Sequence, residues 1–287
     1  MILVSGAFEK MWRAGESIAP EKWTGPSPKL GRMDRLCGLA MVAASSVLAD
    51  AGLSSVTPEW NGERTAIVFG TAYGCHATNE DYYRQLSREG ASPRLFAYTL
   101  PSSPVGEISI LYRITGPAST LASGRTAGLD ALGEAHSLIE TGRADRVLVI
   151  AAEVSTPLLG ELLGDELLAG EPTKTNNDRF DSAAALLLER ADSVSARGGR
   201  ARGLMIAYSK RFNGAAPQVA ADEASTEVDR HAGNADCPPL ALFRAALGAA
   251  PLLAAARFFL APKTPFAKVI ASDPDGAGAA AILGVQS

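Results

Sequence analysis

The chain is poor in the features that mark secreted, zinc-binding or strongly basic proteins. Only three of its 287 residues are cysteine, Cys37, Cys75 and Cys237. Three is an odd number, and none of the spacings is Cys-x-x-Cys, so neither a disulfide framework nor a zinc site is indicated and a reducing cytoplasm is the expected setting. Charge of either sign is not in excess: the net charge is −4 with 20% charged residues, which gives no whole-chain reason to expect binding to nucleic acid or a membrane surface. Long apolar runs are missing too. The stretch from Pro238 to Pro262 is interrupted by Arg244 and Arg257, leaving less than the roughly 20 residues a bilayer span needs, so it reads as a buried core helix. The opening Met1-Ile2-Leu3-Val4-Ser5-Gly6 is followed by Glu9 and Lys10, which suits a first buried strand better than a signal peptide.

What is present is a globular composition, 47% hydrophobic, long enough for one large α/β domain or two fused halves. Residues 35 to 51 are alanine-rich with apolar residues at helical spacing, and Gly52 offers a C-cap. Arg64 to Gly70 reads as a buried strand, and Asn79 to Glu89 as a surface helix capped by Thr78 or Asn79. Leu129 to Glu140 reads as a helix stopped by Thr141-Gly142, then Val147 to Ala152 as a strand. This alternation predicts a parallel sheet covered by helices. Further strands are expected at Ala183 to Glu189 and Gly203 to Ala207, on either side of the turn Arg197-Gly198-Gly199-Arg200. Phe212 to Asp236 shows no sustained period and reads as a long or partly disordered loop. The end of the chain predicts a helix over Leu240 to Leu260, a strand over Lys268 to Ser272, a turn over Asp273 to Gly276 and a final strand over Ala279 to Val285.

Several blocks occur in an order that resembles a β-ketoacyl synthase of the thiolase superfamily: Arg32-Met33-Asp34-Arg35 leading into residues 49 to 53, Ile67 to Gly74, Pro101 to Pro117, Gly116 to Gly128, Gly142-Arg143-Ala144-Asp145, Asp178-Arg179-Phe180-Asp181, Leu247 to Ala250, and Asp273 to Leu283. The resemblance implies a thiolase-like layered α/β/α/β/α fold with a truncated second half, divided at 1–192 and 193–287. Against a full ketosynthase the chain is shorter by on the order of a hundred residues, with most of the loss between Tyr208 and Pro238.

The same resemblance implies that catalytic residues are gone. Where the family keeps its nucleophilic cysteine, at a strand-to-helix turn that favours a thiolate, counting forward from Gly116-Pro117 and backward from Gly142 to Asp145 both give Arg125. The family's two histidines support decarboxylation and stabilise developing charge. Nothing resembles the first, His231 being a poor match, and the second falls on Ala245 and Ala246. No catalytic residue is therefore assigned, and no metal or cofactor is implied. An arginine at a helix N-terminus costs a few tenths to about 1 kcal/mol unless an anion answers it, so Arg125 predicts either an internal ion pair or a partner subunit.

Ser119 and Ser123 are weak substitutes for the nucleophile, lacking an identifiable base, and Cys75-His76 is another, since sequence neighbours rarely point at each other and the segment resembles a glycine-rich loop after a strand. By resemblance Phe96, Tyr98, Leu100, Ser102, Ser103 and Val105 are candidates, with Arg125, for an interface or for the gate of a neighbour's acyl pocket; ordinary packing explains any one of them equally well. Arg197, Arg200, Arg202, Lys210 and Arg211 read as a solvated charged loop, or as a docking patch for an acidic acyl carrier protein. The expected function is a non-catalytic subunit similar to a chain-length factor, paired with an active β-ketoacyl synthase in type II fatty-acid or polyketide biosynthesis. The alternatives are a homodimeric scaffold that binds acyl groups or a carrier protein, and an acyltransferase with a relocated nucleophile.

Overall fold

A computed structural model describes residues 1–20, 23–163, 180–214, 216–232 and 248–285. In chain order the elements are β1 (Ile2–Arg13), α1 (Arg35–Asp50), β2 (Thr65–Thr71), α2 (His76–Glu89), α3 (Pro93–Phe96), α4 (Ser103–Tyr112), β3 (Ala118–Ala122), α5 (Ala127–Glu140), β4 (Arg146–Glu153), α6 (Pro157–Leu163), β5 (Phe180–Arg190), α7 (Ala191–Ala196), β6 (Gly203–Phe212), α8 (Pro217–Ala232), α9 (Ala250–Leu260), β7 (Phe266–Ser272) and β8 (Ala277–Val285).

The strands form one sheet in the order β3-β2-β4-β5-β1-β6-β8-β7. Its two wings meet at a short seam, where Ile2, Leu3 and Val4 of β1 pair antiparallel with Met205, Leu204 and Gly203 of β6. Helices α5 and α9 lie between the wings. One apolar cluster joins Leu129, Leu132, Leu252 and Leu253 of these helices to Val149 and Leu186 on one side and to Val269, Ala281 and Leu283 on the other. Outside the first wing, α1 and α4 cover a second cluster around Trp12, Leu39, Ile108 and Leu148. Outside the other wing, α8 covers a small third one of Ala207, Ala224, Val228, Ala280 and Ile282. The result is five alternating layers of helix and sheet, as the sequence predicts.

The wings repeat one plan. In the first, β1 leads into α1, and α5 precedes the antiparallel pair β4–β5; in the second, β6 leads into α8, and α9 precedes the antiparallel pair β7–β8. In each, the last strand of that pair lies antiparallel to the first strand of the wing. Among the described residues the second wing has no counterparts of β2 and β3.

Three expectations need correction. Parallel pairing is confined to β3-β2-β4, and every other neighbour is antiparallel. Both β4 and β5 are covered by helices on each face, so they carry continuous apolar runs whatever their direction. The region from Phe212 holds a helix, α8, where a loop was expected. Its inward stripe is Ala220, Ala224 and Val228, spaced four apart, and alanine gives too little contrast for the period to show. Helix α2 begins at His76 with Cys75 as N-cap, and neither Thr78 nor Asn79 caps it. Thr78 Oγ1 donates instead to Asp34 Oδ2 at 2.6 Å, beside the start of α1. The expected helix from Leu240 starts at Ala250 in the described residues, and 240–247 lie outside them.

Candidate functional site

Strand β3 ends at Ala122, and the chain turns through Ser123 and a short 3₁₀ segment, Gly124–Thr126, into α5. Gly124 has φ +59, in the left-handed region that glycine enters at little cost. Backbones close tightly on this turn. A Cβ added at Gly248 would meet Ala72 N at 2.6 Å and both Glu153 Oε1 and Gly124 O at 2.8 Å, and one at Gly128 would meet Gly248 O at 2.8 Å. The turn is thus wedged between the end of β2, the end of β4 and the start of α9.

Arg125 occupies the first turn before α5, where helix amides lack internal partners and the dipole favours an anion. The anion is Asp273, from the turn between β7 and β8. Its Oδ2 accepts from the Arg125 backbone N–H, and its Oδ1 accepts from the Asp275 N–H at 3.1 Å. Burial opposes ionisation of Asp273, yet the hydrogen bonds from Asp275 and from the Arg125 amide, with the Arg125 charge, hold its pKa below the ordinary carboxylate value.

Behind the turn, Asp130 of α5 gathers four donors. Ser123 Oγ donates to it at 2.5 Å, Thr126 Oγ1 at 2.9 Å, Tyr208 OH at 2.9 Å and Lys210 Nζ at 2.7 Å. Ser123 Oγ thus points its hydrogen into a carboxylate that three other donors, one of them cationic, already hold, and the serine is anchored in the turn. This network borders a cavity of about 840 Å³ whose wall also includes Thr120, Glu134 and His136.

The Cys75 and His76 side chains do not form a catalytic pair. Cys75 Sγ donates to Thr99 O at 2.8 Å, and burial pushes its thiol pKa up, away from the thiolate that reacts. The His76 ring stands edge-on to Tyr73, and burial lowers its pKa. Ser119, on β3, has a buried hydroxyl with no hydrogen-bond partner. His231 falls within the span of α8, and Ala245 and Ala246 lie outside the described residues.

The gate candidates divide. Phe96, at the end of α3, and Leu100 are 63% and 62% exposed, with the Phe96 ring tilted against Tyr82 at 5.8 Å. Tyr98 OH donates to Glu107 Oε1 at 2.8 Å, Ser102 is exposed ahead of α4, and Ser103 Oγ donates to Ala97 O at 3.2 Å. Val105 faces inward, packed in the cluster under α1 and α4, so it is a core residue and not a surface one. The basic cluster is dispersed into ion pairs: Arg197 with Glu189 at 2.6 Å, Lys210 with Asp130 at 2.7 Å, Arg211 with Glu227 at 3.5 Å, and Arg202 with Asp50. Arg200 remains exposed.

Sequence reasoning missed Glu153. At the end of β4 it is 1% exposed, its Oε1 accepts from Thr71 Oγ1 at 3.1 Å and from the Ala72 N–H, and its Oε2 has no partner. Burial pushes its pKa up to about 8. The only signal in the sequence is an acidic residue closing an otherwise apolar strand.

The five layers and the repeated wings define a thiolase-like fold. A solved structure of the ishigamide ketosynthase/chain length factor aligns with a TM-score of 0.75 at 23% identity, over 91% of this chain and 83% of that one. A type II polyketide synthase acyl-carrier protein in complex with its ketosynthase aligns with a TM-score of 0.81 at 15% identity, over 100% and 99%. The profile of the β-ketoacyl synthase N-terminal domain matches residues 9–192, and the chain belongs to the β-ketoacyl synthase family. It is 28% identical over 222 residues to the tetracenomycin polyketide synthase ketoacyl synthase alpha subunit of Streptomyces glaucescens, covering 69% of this chain and 50% of that protein. It is 30% identical over 203 residues to the oxytetracycline polyketide putative β-ketoacyl synthase 1 of Streptomyces rimosus, covering 63% and 47%. The chain thus spans about half the length of the curated relatives it matches. No helix among the described residues is long and apolar enough to cross a membrane.

Proposed function

We propose that this chain is a non-catalytic, ketosynthase-like subunit, similar to a chain-length factor, which pairs with an active β-ketoacyl synthase in type II fatty-acid or polyketide biosynthesis and shapes acyl chain length. The observation that carries this reading is the turn itself. Arg125 stands where the family keeps a nucleophile, and an internal carboxylate, Asp273, is bonded to its amide. Neither an arginine nor an anchored serine supplies the nucleophile that acyl transfer requires. In this reading residues 1–192 keep the family scaffold and residues 193–287 form a shortened second half.

A pairing surface is available on the first wing. Among the described residues β3 is a sheet edge paired only with β2, and an open edge invites strand addition. Exposed apolar side chains on and between α3 and α4, Phe96, Leu100 and Ile110 at 80% exposure, suit burial in an interface. Ser102, Ser103 and Tyr98 lie in the same segment and would border the partner's acyl pocket. The same edge suits a second copy of this chain, which is the scaffold reading, with an acyl carrier protein as a further partner.

Co-expression with a ketosynthase encoded beside it distinguishes the two. The expected result is a 1:1 heterodimer on size exclusion, broken by Ile110→Arg, with no acyl adduct on this chain by intact mass spectrometry after incubation with acyl-carrier substrates. A stable homodimer that ignores the ketosynthase would replace the pairing reading with the scaffold one, and an adduct on Ser123 or Cys75 would overturn both.

A further inference from the structure

The nucleophile turn and the β7–β8 turn lie 148 residues apart in sequence, yet they share one charge-assisted contact. Asp273 lies flat on the turn: a Cβ at Gly124 would overlap its carboxylate, so the glycine makes the room that the carboxylate fills. Asp273 is 6% exposed. Both of its oxygens are engaged, Oδ2 by the Arg125 amide and Oδ1 by the Asp275 amide. The Arg125 amide in the 3₁₀ turn that leads into α5, a glycine cradle and a nearby guanidinium together make a site shaped for a small carboxylate.

We infer that Asp273 is an internal ligand: a side chain of the second wing that occupies a carboxylate-binding site on the first, closing the nucleophile turn to external carboxylates. The inference deepens the non-catalytic reading, since it says what fills the site in place of a substrate. It also explains how a truncated second wing stays tied to the turn it covers. An anion bound at this point offsets the unfavourable placement of Arg125 at a helix start. It also satisfies an amide that would otherwise be left without a partner in a partly buried place.

The test is chemical rescue of the isolated full chain. Asp273→Ala is expected to lower Tm, and sodium acetate at tens of millimolar to restore most of that loss, whereas sodium chloride at matched ionic strength does not. Wild type is expected to respond equally to the two salts. Acetate that acts no better than chloride on Asp273→Ala, or as well on wild type, overturns the inference. Should Asp273→Ala fail to fold, Asp273→Asn keeps the shape but not the charge. Hydrogen exchange at the Arg125 amide is then expected to accelerate about tenfold over wild type, the weaker acceptor forfeiting part of a charge-assisted bond, and unchanged exchange sinks the inference. Neither readout uses a partner, so a chain that never pairs with a ketosynthase can still be rescued by acetate, and a chain that pairs can fail the rescue.

Discussion

The two wings run the same plan with different materials. Among the described residues the first carries five strands, and it buries charge. Glu189, with no side-chain exposure, lies 2.6 Å from Arg197 and 3.3 Å from Arg146, both guanidiniums 7% exposed, and it accepts from Ser5 Oγ at 2.5 Å. The second has three strands, and its buried faces are built largely from small residues, Ala267, Ala271, Ala279 and Ala281 toward α5 and α9 and Ala280 toward α8. Its charges sit nearer solvent, as in Lys268 with Asp229 at 2.7 Å. Buried ion pairs cost a great deal when one partner is removed, because the other charge is left unanswered in a poor solvent. Small-residue packing fails in the opposite way, by overfilling. The difference locates each wing's vulnerability.

The largest effect is expected from Glu189→Ala, which strands two buried guanidiniums near the seam between the wings. Loss of about 3–5 kcal/mol is the usual scale for such a break, read as a fall in the denaturant midpoint. Arg146 and Arg197 also hold Glu59 O and Ala51 O at 3.0 Å each, so the loops before β2 and after α1 should loosen with them. A loss below 1 kcal/mol would mean that water reaches this network and that the first wing does not bury charge in the sense argued.

Glu153→Gln works in the other direction. The folded-state pKa, about 8, stands above the ordinary value of 4.5. Folding therefore holds a proton that the unfolded chain releases above pH 4.5, and the wild type loses stability as pH rises from there to about 8. Glutamine has no such penalty. The variant should match wild type near pH 4 and gain on it steadily, to of the order of 4 kcal/mol at pH 8 given about 1.4 kcal/mol per pKa unit. Unfolding curves across that range check the slope, and parallel stability profiles for the two proteins would remove Glu153 from the account.

The contrast between wings also governs how much could be read from sequence. In the first wing α1, β2, α5 and β4 were legible because large apolar side chains mark the buried face. Arg125 was legible because both flanking motifs are local. In the second wing α8 was hidden, since an alanine stripe has almost no hydrophobic contrast. Strand direction in β5 was hidden because burial on both faces erases alternation. Asp273 could be placed in a turn, but its bond to the Arg125 amide depends on how the wings close around α5 and α9, and nothing in local sequence encodes that. Glu153 read as the end of a strand, its burial set by Thr71, Ala72 and Gly248 from elsewhere in the chain.

Gly278→Ala gives the smallest of the three effects and bears most directly on the second wing. Gly278 of β8 faces α8, and an added Cβ would overlap the Ala221 N and the Ala220 carbonyl carbon. Backbone is there on both sides, so no flexible side-chain end can swing away and the helix must shift. Overpacking of this kind costs about 1–3 kcal/mol. The third cluster is small, anchored by Val228 and Ile282 with alanines between them, so the shift should be confined to α8. Hydrogen exchange is then expected to rise along α8 while protection in α1 and α5 holds, because local opening follows the cooperative unit that loses its contacts. If protection fell equally in α1, the wings would unfold as one body, and the separate vulnerabilities argued for them would merge into a single core.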